Sequence, residues 1–303
     1  MRTSDIKRRI RSVKNTQQIT RAMKFVAAAK LRRAQEAMLA MRPYRRRLDD
    51  ILRRLSEDLA GDEHPLFSPM NRGNRIATIV IAGDRGLCGG FNANVLRAVH
   101  RHVGSLPAAE HWFFTIGKRA AAGVRKTAGR DRIVKAYSDV FDKLSYALAA
   151  DICDVCVERM DRKAKQPFDA VYLVYSEFVS AMTQRPVVER LLPFDLAALR
   201  EERAAEIARD RGEGRAQHPL YGIEPDIETV VARLVARRLA TDVHRGALES
   251  YAAELSARMT AMDSATNNAD EIIDRLTLAF NRARQTGITS ELIDIVGGAS
   301  AQA

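Results

Sequence analysis

From Ile6 to Leu59 the positions Ile6, Ile10, Val13, Gln17, Thr20, Lys24, Ala27, Leu31, Ala34, Met38, Met41, Arg45, Leu48, Leu52, Leu55 and Leu59 follow one another in alternating steps of four and three. That spacing keeps a single stripe on one side of a helix, whereas a half-buried strand would require a period of two. A continuous helix over this stretch would be about 80 Å long, more than a compact domain needs. Pro43 lies inside it and predicts a kink or local break at Arg42. Gln17, Lys24 and Arg45 occupy stripe positions that a self-sufficient zipper would give to Leu or Ile.

A second stripe runs through Leu248, Ala252, Leu255, Met259, Met262, Thr266, Ala269, Ile273, Leu276, Phe280 and Ala283. Residues 227–243 are helical in pattern as well, so a helix from about 226 to 297 would extend about 105 Å. Its small stripe residues, such as Ala252, Ala269 and Ala283, allow close backbone approach. Antiparallel pairing of the two ends within one chain is the economical way to bury both stripes.

Between them the texture changes. Arg75–Ala82 is a β-branched run without polar alternation, as in a strand covered on both faces. A helical pattern at Phe91–Val103 follows, then strand-like His111–Ile116, helices at Lys118–Thr127 and Tyr146–Asp161, and strand-like Ala170–Tyr175. Val187–Leu192 could add an edge strand. The alternation reads as a βαβ domain with a mainly parallel sheet. The expected class is therefore α/β: a long antiparallel coiled coil of N- and C-terminal helices plus a central Rossmann-like βαβ domain. The divisions fall at 1–60, 75–194, a charged insertion at 195–225 with one short helix at Leu196–Arg209, and 226–303.

Charge is distributed unevenly along this plan. Residues 1–60 hold 17 Lys/Arg against 6 Asp/Glu, which is the whole of the net +11, and the remainder is balanced at 32 of each sign. A charge excess confined to one rod speaks of a partner with acidic surface rather than of folding. No run approaches the roughly 18 apolar residues of a membrane span. The start enters the stripe at once, without the apolar core of a secretory signal and without a spare presequence, which predicts work in a cytoplasm or an equivalent compartment. Three cysteines are too few for a disulfide framework and fit a reducing compartment.

Sites of chemistry are scarce. Cys153 and Cys156 spell CxxC, but on a helix, with no second pair and no preceding strand, so they read as small buried side chains. The loop Gly83–Asn92 matches neither GxGxxG nor GxxxxGK[ST], and its glycines fit a tight turn into the next helix. The six histidines are scattered; His100 and His102 stand two apart and do not share a helix face. No catalytic constellation, cofactor site or metal site can be argued from spacing.

Three separated stretches carry more information than the architecture. Ile10–Gln35, with its Gln17-Gln-Ile-Thr-Arg-Ala-Met-Lys24 core, the loop Asp84-Arg-Gly-Leu-Cys-Gly-Gly-Phe-Asn92, and Ala257–Met262 together with Leu276–Gly298 resemble the gamma-subunit family of F-type (F1Fo) ATP synthases. The resemblance covers both ends and the centre, in the right order. The chain departs from the pattern at Gly83, where that family usually has Ser or Thr, and in a longer 195–226 insertion.

The resemblance implies a central rotor shaft without an active site or cofactor of its own. The terminal helices would turn inside a ring of three alpha and three beta subunits, and the Rossmann-like domain would face the c-ring and the epsilon subunit. Proton-driven rotation would then drive ATP synthesis at the beta subunits. The location implied is the cytoplasmic face of a bacterial inner membrane, as a peripheral protein. Partner-binding roles carry over to Arg8, Arg9, Lys30, Arg32 and Arg33, near an acidic loop of beta, with Met23 and Arg258 beside that lever. Arg284, Gln285, Thr289 and Glu291 would form a hydrogen-bonding catch, and Ile288, Leu292, Ile295 and Val296 a tip in an apolar sleeve. Arg85 and Cys88 would support a loop near the c-ring or epsilon. Two rivals remain at this level: a basic coiled coil that binds nucleic acid, and a nucleotide-dependent enzyme built on the βαβ domain.

Overall fold

The computed structural model describes residues 3–55, 66–67, 74–160, 164–195, 197–198, 200–201, 203–205, 222–224 and 226–300, with the backbone alone at 228, 290, 291 and 294–300. Two compact units divide the chain: residues 1–30 with 258–303, and residues 31–257.

The first unit is an antiparallel helix pair. It contains the first half of α1 (Thr3–Leu55) and the last part of α5 (Ile227–Ser300). Three cross-helix contacts set its direction and register: Gln17 with Asp270, Thr20 with Thr266, and Lys24 with Asp263. Partner numbers fall on one helix as they rise on the other, as antiparallel packing requires. Ile6, Thr20, Ala27, Met262 and Ala269 are buried, and the remaining stripe positions of this unit, from Ile10 to Ala283, are half-buried. The 4-3 stripe therefore faces the partner helix along the whole pair.

The second unit is organised on a five-stranded sheet: β1 (Arg75–Ile81), β2 (Glu110–Ile116), β3 (Ile133–Tyr137), β4 (Ala170–Phe178) and β5 (Gln184–Leu192). Spatial order is β3-β2-β1-β4-β5, with every pairing parallel except β4 with β5. Between the strands lie α2 (Phe91–Ser105), α3 (Lys118–Ala128) and α4 (Tyr146–Met160). Successive side chains of the central strands point to opposite faces and are buried on both. Val80, Phe113 and Val174 pack with α2 and α3, while Ile79, Ile81, Phe114, Ile116 and Leu173 pack with α4.

The second face is completed by Leu52 and Leu55 of α1 and by Val231, Val235, Leu239 and Val243 of α5. Along this part of α5 Arg233 and Arg237 are exposed opposite the buried Val231, Val235 and Leu239, and from Arg238 to Ala257 no residue is exposed. Gly246 is where α5 meets the sheet most closely: a Cβ there would come within 2.8 Å of Leu173 Cδ2.

The expected class is the observed one, and three details change. α1 is not broken at Pro43, which lies inside the helix with its ring exposed. The missing N–H costs one bond to the Leu39 carbonyl, on a solvent-facing side where water can replace it. β3 had no place in the sequence plan; it is five residues long and lies at the sheet margin, half-exposed, so it lacks the continuous apolar run of an inner strand. β5 is longer than expected and starts at Gln184, because a tight turn at Ser180–Thr183 feeds it directly from β4. Of the expected short helix at 196–209 the described residues, 197–198, 200–201 and 203–205, are helical, and Leu59 and Asp161 lie outside the described residues.

Candidate partner-binding surfaces

In the first unit the interior of the helix pair is polar where a zipper would be oily. Thr20 Oγ1 lies 2.8 Å from Thr266 Oγ1; each hydroxyl also has a backbone acceptor on its own helix, Gln17 O at 3.0 Å and Met262 O at 2.8 Å. One turn to either side, Gln17 Nε2 donates to Asp270 and Lys24 Nζ donates to Asp263 Oδ1 at 2.5 Å. These layers fix register at some expense of apolar burial. They also account for the three imperfect stripe positions: Gln17 and Lys24 have acidic mates on α5 within this unit, and Arg45 has its own in the second unit.

The outside of α1 in this unit has no such compensation. Lys7, Arg9, Arg11, Lys14 and Arg21 are exposed and make no ion pair among the described residues. Arg8 pairs only with Asp5, one turn away at 3.3 Å, and its side chain is 83% exposed. Met23, Lys30 and Arg258 are half-buried. In the second unit Arg33 is exposed, and Arg32 is exposed and bonded to Glu36 at 3.2 Å. Exposed pairs of this kind are worth about 0.2–1 kcal/mol, so they exchange readily for an external acid.

The described residues of α5 from Arg284 to Thr289 are exposed for a geometric reason. The antiparallel register carries Thr3, the first helical residue of α1, opposite about residue 284. Beyond that point α5 has no mate from α1. Arg284, Gln285, Ile288, Thr289, Leu292 and Ile293 are all exposed. Thr289 Oγ1 donates back to the Gln285 carbonyl at 2.9 Å, as helix threonines do. The side chains of Glu291, Ile295 and Val296 lie outside the described residues.

In the second unit the loop after β1 is built around Asp84. Its Oδ1 accepts the backbone N–H groups of Lys118 and Asp139, both at 2.9 Å, tying the ends of β1, β2 and β3 together. Asn92, at the start of α2, accepts the Gly83 N–H at 2.9 Å and donates to the Arg85 carbonyl at 3.1 Å. Leu87 and Gly89 take positive φ. The consequence is an outward Leu87 and Arg85 and an inward Cys88, whose Sγ is contacted by Asn92 Nδ2. Gly83 faces the buried Glu254 of α5: a Cβ would lie 2.9 Å from Glu254 Oε1. The glycines serve this backbone geometry, as the loop sequence predicts.

Cys153 and Cys156 are buried in the α4 core, where desolvation pushes both thiols up, Cys156 to about 12. A thiolate is the reactive form, so these groups are inert. His102 and His111 meet on α2 and β2 with ring centroids 6.1 Å apart. Among the described residues no three His, Cys, Asp or Glu gather as a metal site, and no helix is long and apolar enough to cross a membrane.

These surfaces were legible only through resemblance, and comparison with known proteins shows the family directly. The family described as ATP synthase matches residues 2–302. The gamma chain of the ATP synthase of Pelotomaculum thermopropionicum is 42% identical over 297 residues, covering 98% of both chains. The gamma chain from Heliobacterium modesticaldum is 41% identical over 297 residues, again covering 98% of each. Among solved structures, a chain of the Euglena gracilis mitochondrial ATP synthase OSCP/F1/c-ring assembly aligns with a TM-score of 0.66 at 18% identity, covering 99% of this chain and 94% of that one. A chain of the central stalk and c-ring of the Tetrahymena thermophila enzyme aligns at 0.59 and 21% identity, covering 82% and 99%. At these identities the structures speak for the fold, whereas the full-length sequence relatives speak for kinship. The chain belongs to the ATP synthase family, among its gamma chains.

Proposed function

We infer that this chain is the rotor shaft in the central stalk of an F-type ATP synthase. It couples turning of the c-ring to cyclic conformational change in an alpha3beta3 ring. The observation that carries the reading is the 42% identity to a gamma chain over 98% of both sequences. The reading also gives the bare cations a use. An α1 surface with five cations that make no ion pair among the described residues meets acidic levers on successive beta subunits, and its weak, screened contacts steer and then release. In this assignment Arg8, Arg9, Met23, Lys30, Arg32, Arg33 and Arg258 act at that lever, and Arg284, Gln285, Thr289 and Glu291 act as the catch beyond the end of α1. Arg85 touches a neighbouring subunit from the outer side of its loop, and Cys88 supports that loop from within. Epsilon and the c-ring hold the sheet domain, the complex sits at the cytoplasmic face of a bacterial inner membrane, and ATP chemistry takes place on beta.

Neither rival has comparable support. Nucleic-acid binding rested on the charge of residues 1–60 alone and leaves the Asp84 loop without a purpose. Co-purification from native membranes tests the rotor reading: recovery with alpha and beta subunits is expected, and recovery without them overturns it.

A further inference from the structure

Inside the second unit, Asp242 of α5 has a side chain only 3% exposed, yet it is surrounded by three arginines. Arg45 reaches it from α1, with Nε 3.3 Å from Oδ1. Arg238 reaches it from one turn earlier on α5 and contacts Oδ2. Arg245, from the following turn, stands 3.6 Å away through Nε. Each arginine then has a second anchor. Arg238 Nε donates to Asp49 of α1, which also lies 3.9 Å from Arg45. Arg245 donates to Glu189 of β5 at 2.6 Å, to the Tyr175 hydroxyl of β4 at 2.8 Å and to Glu249 of α5 at 3.1 Å. One buried carboxylate thus joins four elements: both long helices and the two strands at the sheet edge.

An apolar interface would serve stability as well. Replacing buried ion pairs by packed hydrophobic groups is often neutral or stabilising, so folding alone gives little reason for such a cluster. What apolar contacts do not provide is direction, because their energy changes little as one surface slides over another. The arginine contacts to Asp242 are charge pairs that lack hydrogen-bond geometry, whereas Arg245 is held to Glu189 of β5 and Tyr175 of β4 by directed hydrogen bonds, and breaking one of these leaves a largely buried charge less compensated. The charges involved are Arg45, Arg238 and Arg245 against Asp49, Asp242, Glu189 and Glu249. Burial lowers the affinity of Arg238 for its proton, while Glu189, Tyr175 and Glu249 hold Arg245 charged.

We propose that the Asp242 cluster is the torque joint of this subunit, a set of positioning residues that locks the second-unit parts of α1 and α5 against the sheet within that unit. The proposal rests on the rotor reading. In that reading the sheet domain receives torque and the helices deliver it, so the joint between them bears the whole load. Asp242 and Arg238 lie inside the unit, while Arg45, Asp49 and Glu189 stay about one third exposed at its margin.

The test uses the assembled alpha3beta3gamma complex, immobilised through alpha3beta3 and stalled with nucleotide. A bead is attached to the sheet domain through Lys126→Cys, an exposed position on α3. The variance of the bead angle reads torsional stiffness. Asp242→Asn and Glu189→Gln are each expected to raise that variance about twofold or more, since the first removes the buried charge shared by three arginines and the second weakens the 2.6 Å Arg245 contact to β5. Arg185→Gln, which breaks only the exposed Arg185–Glu177 pair, is expected to leave it unchanged. Should Asp242→Asn fail to assemble, Glu189→Gln, whose side chain is 31% exposed, decides. Parent-like variance in either assembled variant overturns the joint. Failure of the unmodified chain to assemble or rotate overturns the rotor reading instead.

Discussion

Thr20 and Thr266 face each other across the helix pair with hydroxyl oxygens 2.8 Å apart, at the centre of three successive polar layers. Because each hydroxyl also has a carbonyl acceptor on its own helix, neither depends on the other for satisfaction. Thr20→Val with Thr266→Val should therefore be neutral or raise thermal stability by about 1 kcal/mol, since removing both partners leaves no orphan. Asp263→Leu alone should lower it, since Lys24 loses its mate at 2.5 Å. Thermal melting of the purified chain checks both directions.

Gly117 approaches the carbonyl of Ala82 so closely that a Cβ would lie 1.8 Å from that oxygen, at φ +99°. Neither feature can relax, because β1 and β2 are hydrogen-bonded in register up to this point and Ala82 N–H bonds Ile116 O at 3.0 Å. Gly117→Ala should cost about 3 kcal/mol or more through clash and backbone strain. The urea midpoint of the variant reports it, and an unchanged midpoint would contradict the close approach.

His102 is buried with Nε2 unpartnered, against Tyr172 at 4.5 Å between centroids. Its pKa lies below the usual 6.5, first because burial disfavours the charged ring and then because His111 repels it. A group whose folded pKa is depressed binds more protons when unfolded, so its contribution is full above pH 6.5 and is lost as pH falls through the lower folded value. Buried His244 adds to the loss with the same sign. Stability should fall between neutral pH and pH of about 5, and His102→Leu should flatten, though not abolish, that slope. Denaturant midpoints across this range give the comparison.

Arg284 and Gln285 lie where the register brings α1 to its first helical residue, and both are exposed. Arg284→Ala with Gln285→Ala should leave the melting temperature within the scatter expected for surface changes, about 0.5 kcal/mol. Turnover of the assembled complex should drop by roughly tenfold, the effect of about 1.4 kcal/mol lost at the catch. Unchanged turnover would remove these two residues from the interface.

The two stripes illustrate how much the sequence carries. Every described position of the 4-3 pattern is buried or half-buried, including Gln17, Lys24 and Arg45, whose polarity gave no hint of burial. The β1 run and the Gly-rich loop were equally plain, because a doubly covered strand and a tight turn each demand particular residue types. β3 escaped because a short marginal strand with Lys135 paired to Asp151 presents no apolar signature. Pro43 misled because the penalty of a missing N–H depends on whether water reaches the free carbonyl, which a linear pattern does not state.

Sequence alone therefore determined the helix pair, the βαβ centre, the concentration of charge on α1 and, through its motifs, the family. These follow from period, composition and local order, all of which are local properties. Only the tertiary structure decided which charges are balanced and which are bare. Arg45 and Arg11 look alike in the sequence, yet one meets the buried Asp242 and the other is exposed with no ion pair among the described residues. Ion pairing is set by distance in space: Asp242 and Asp263, which Arg45 and Lys24 meet on α5, lie roughly two hundred residues or more away along the chain and are joined to them only by folding.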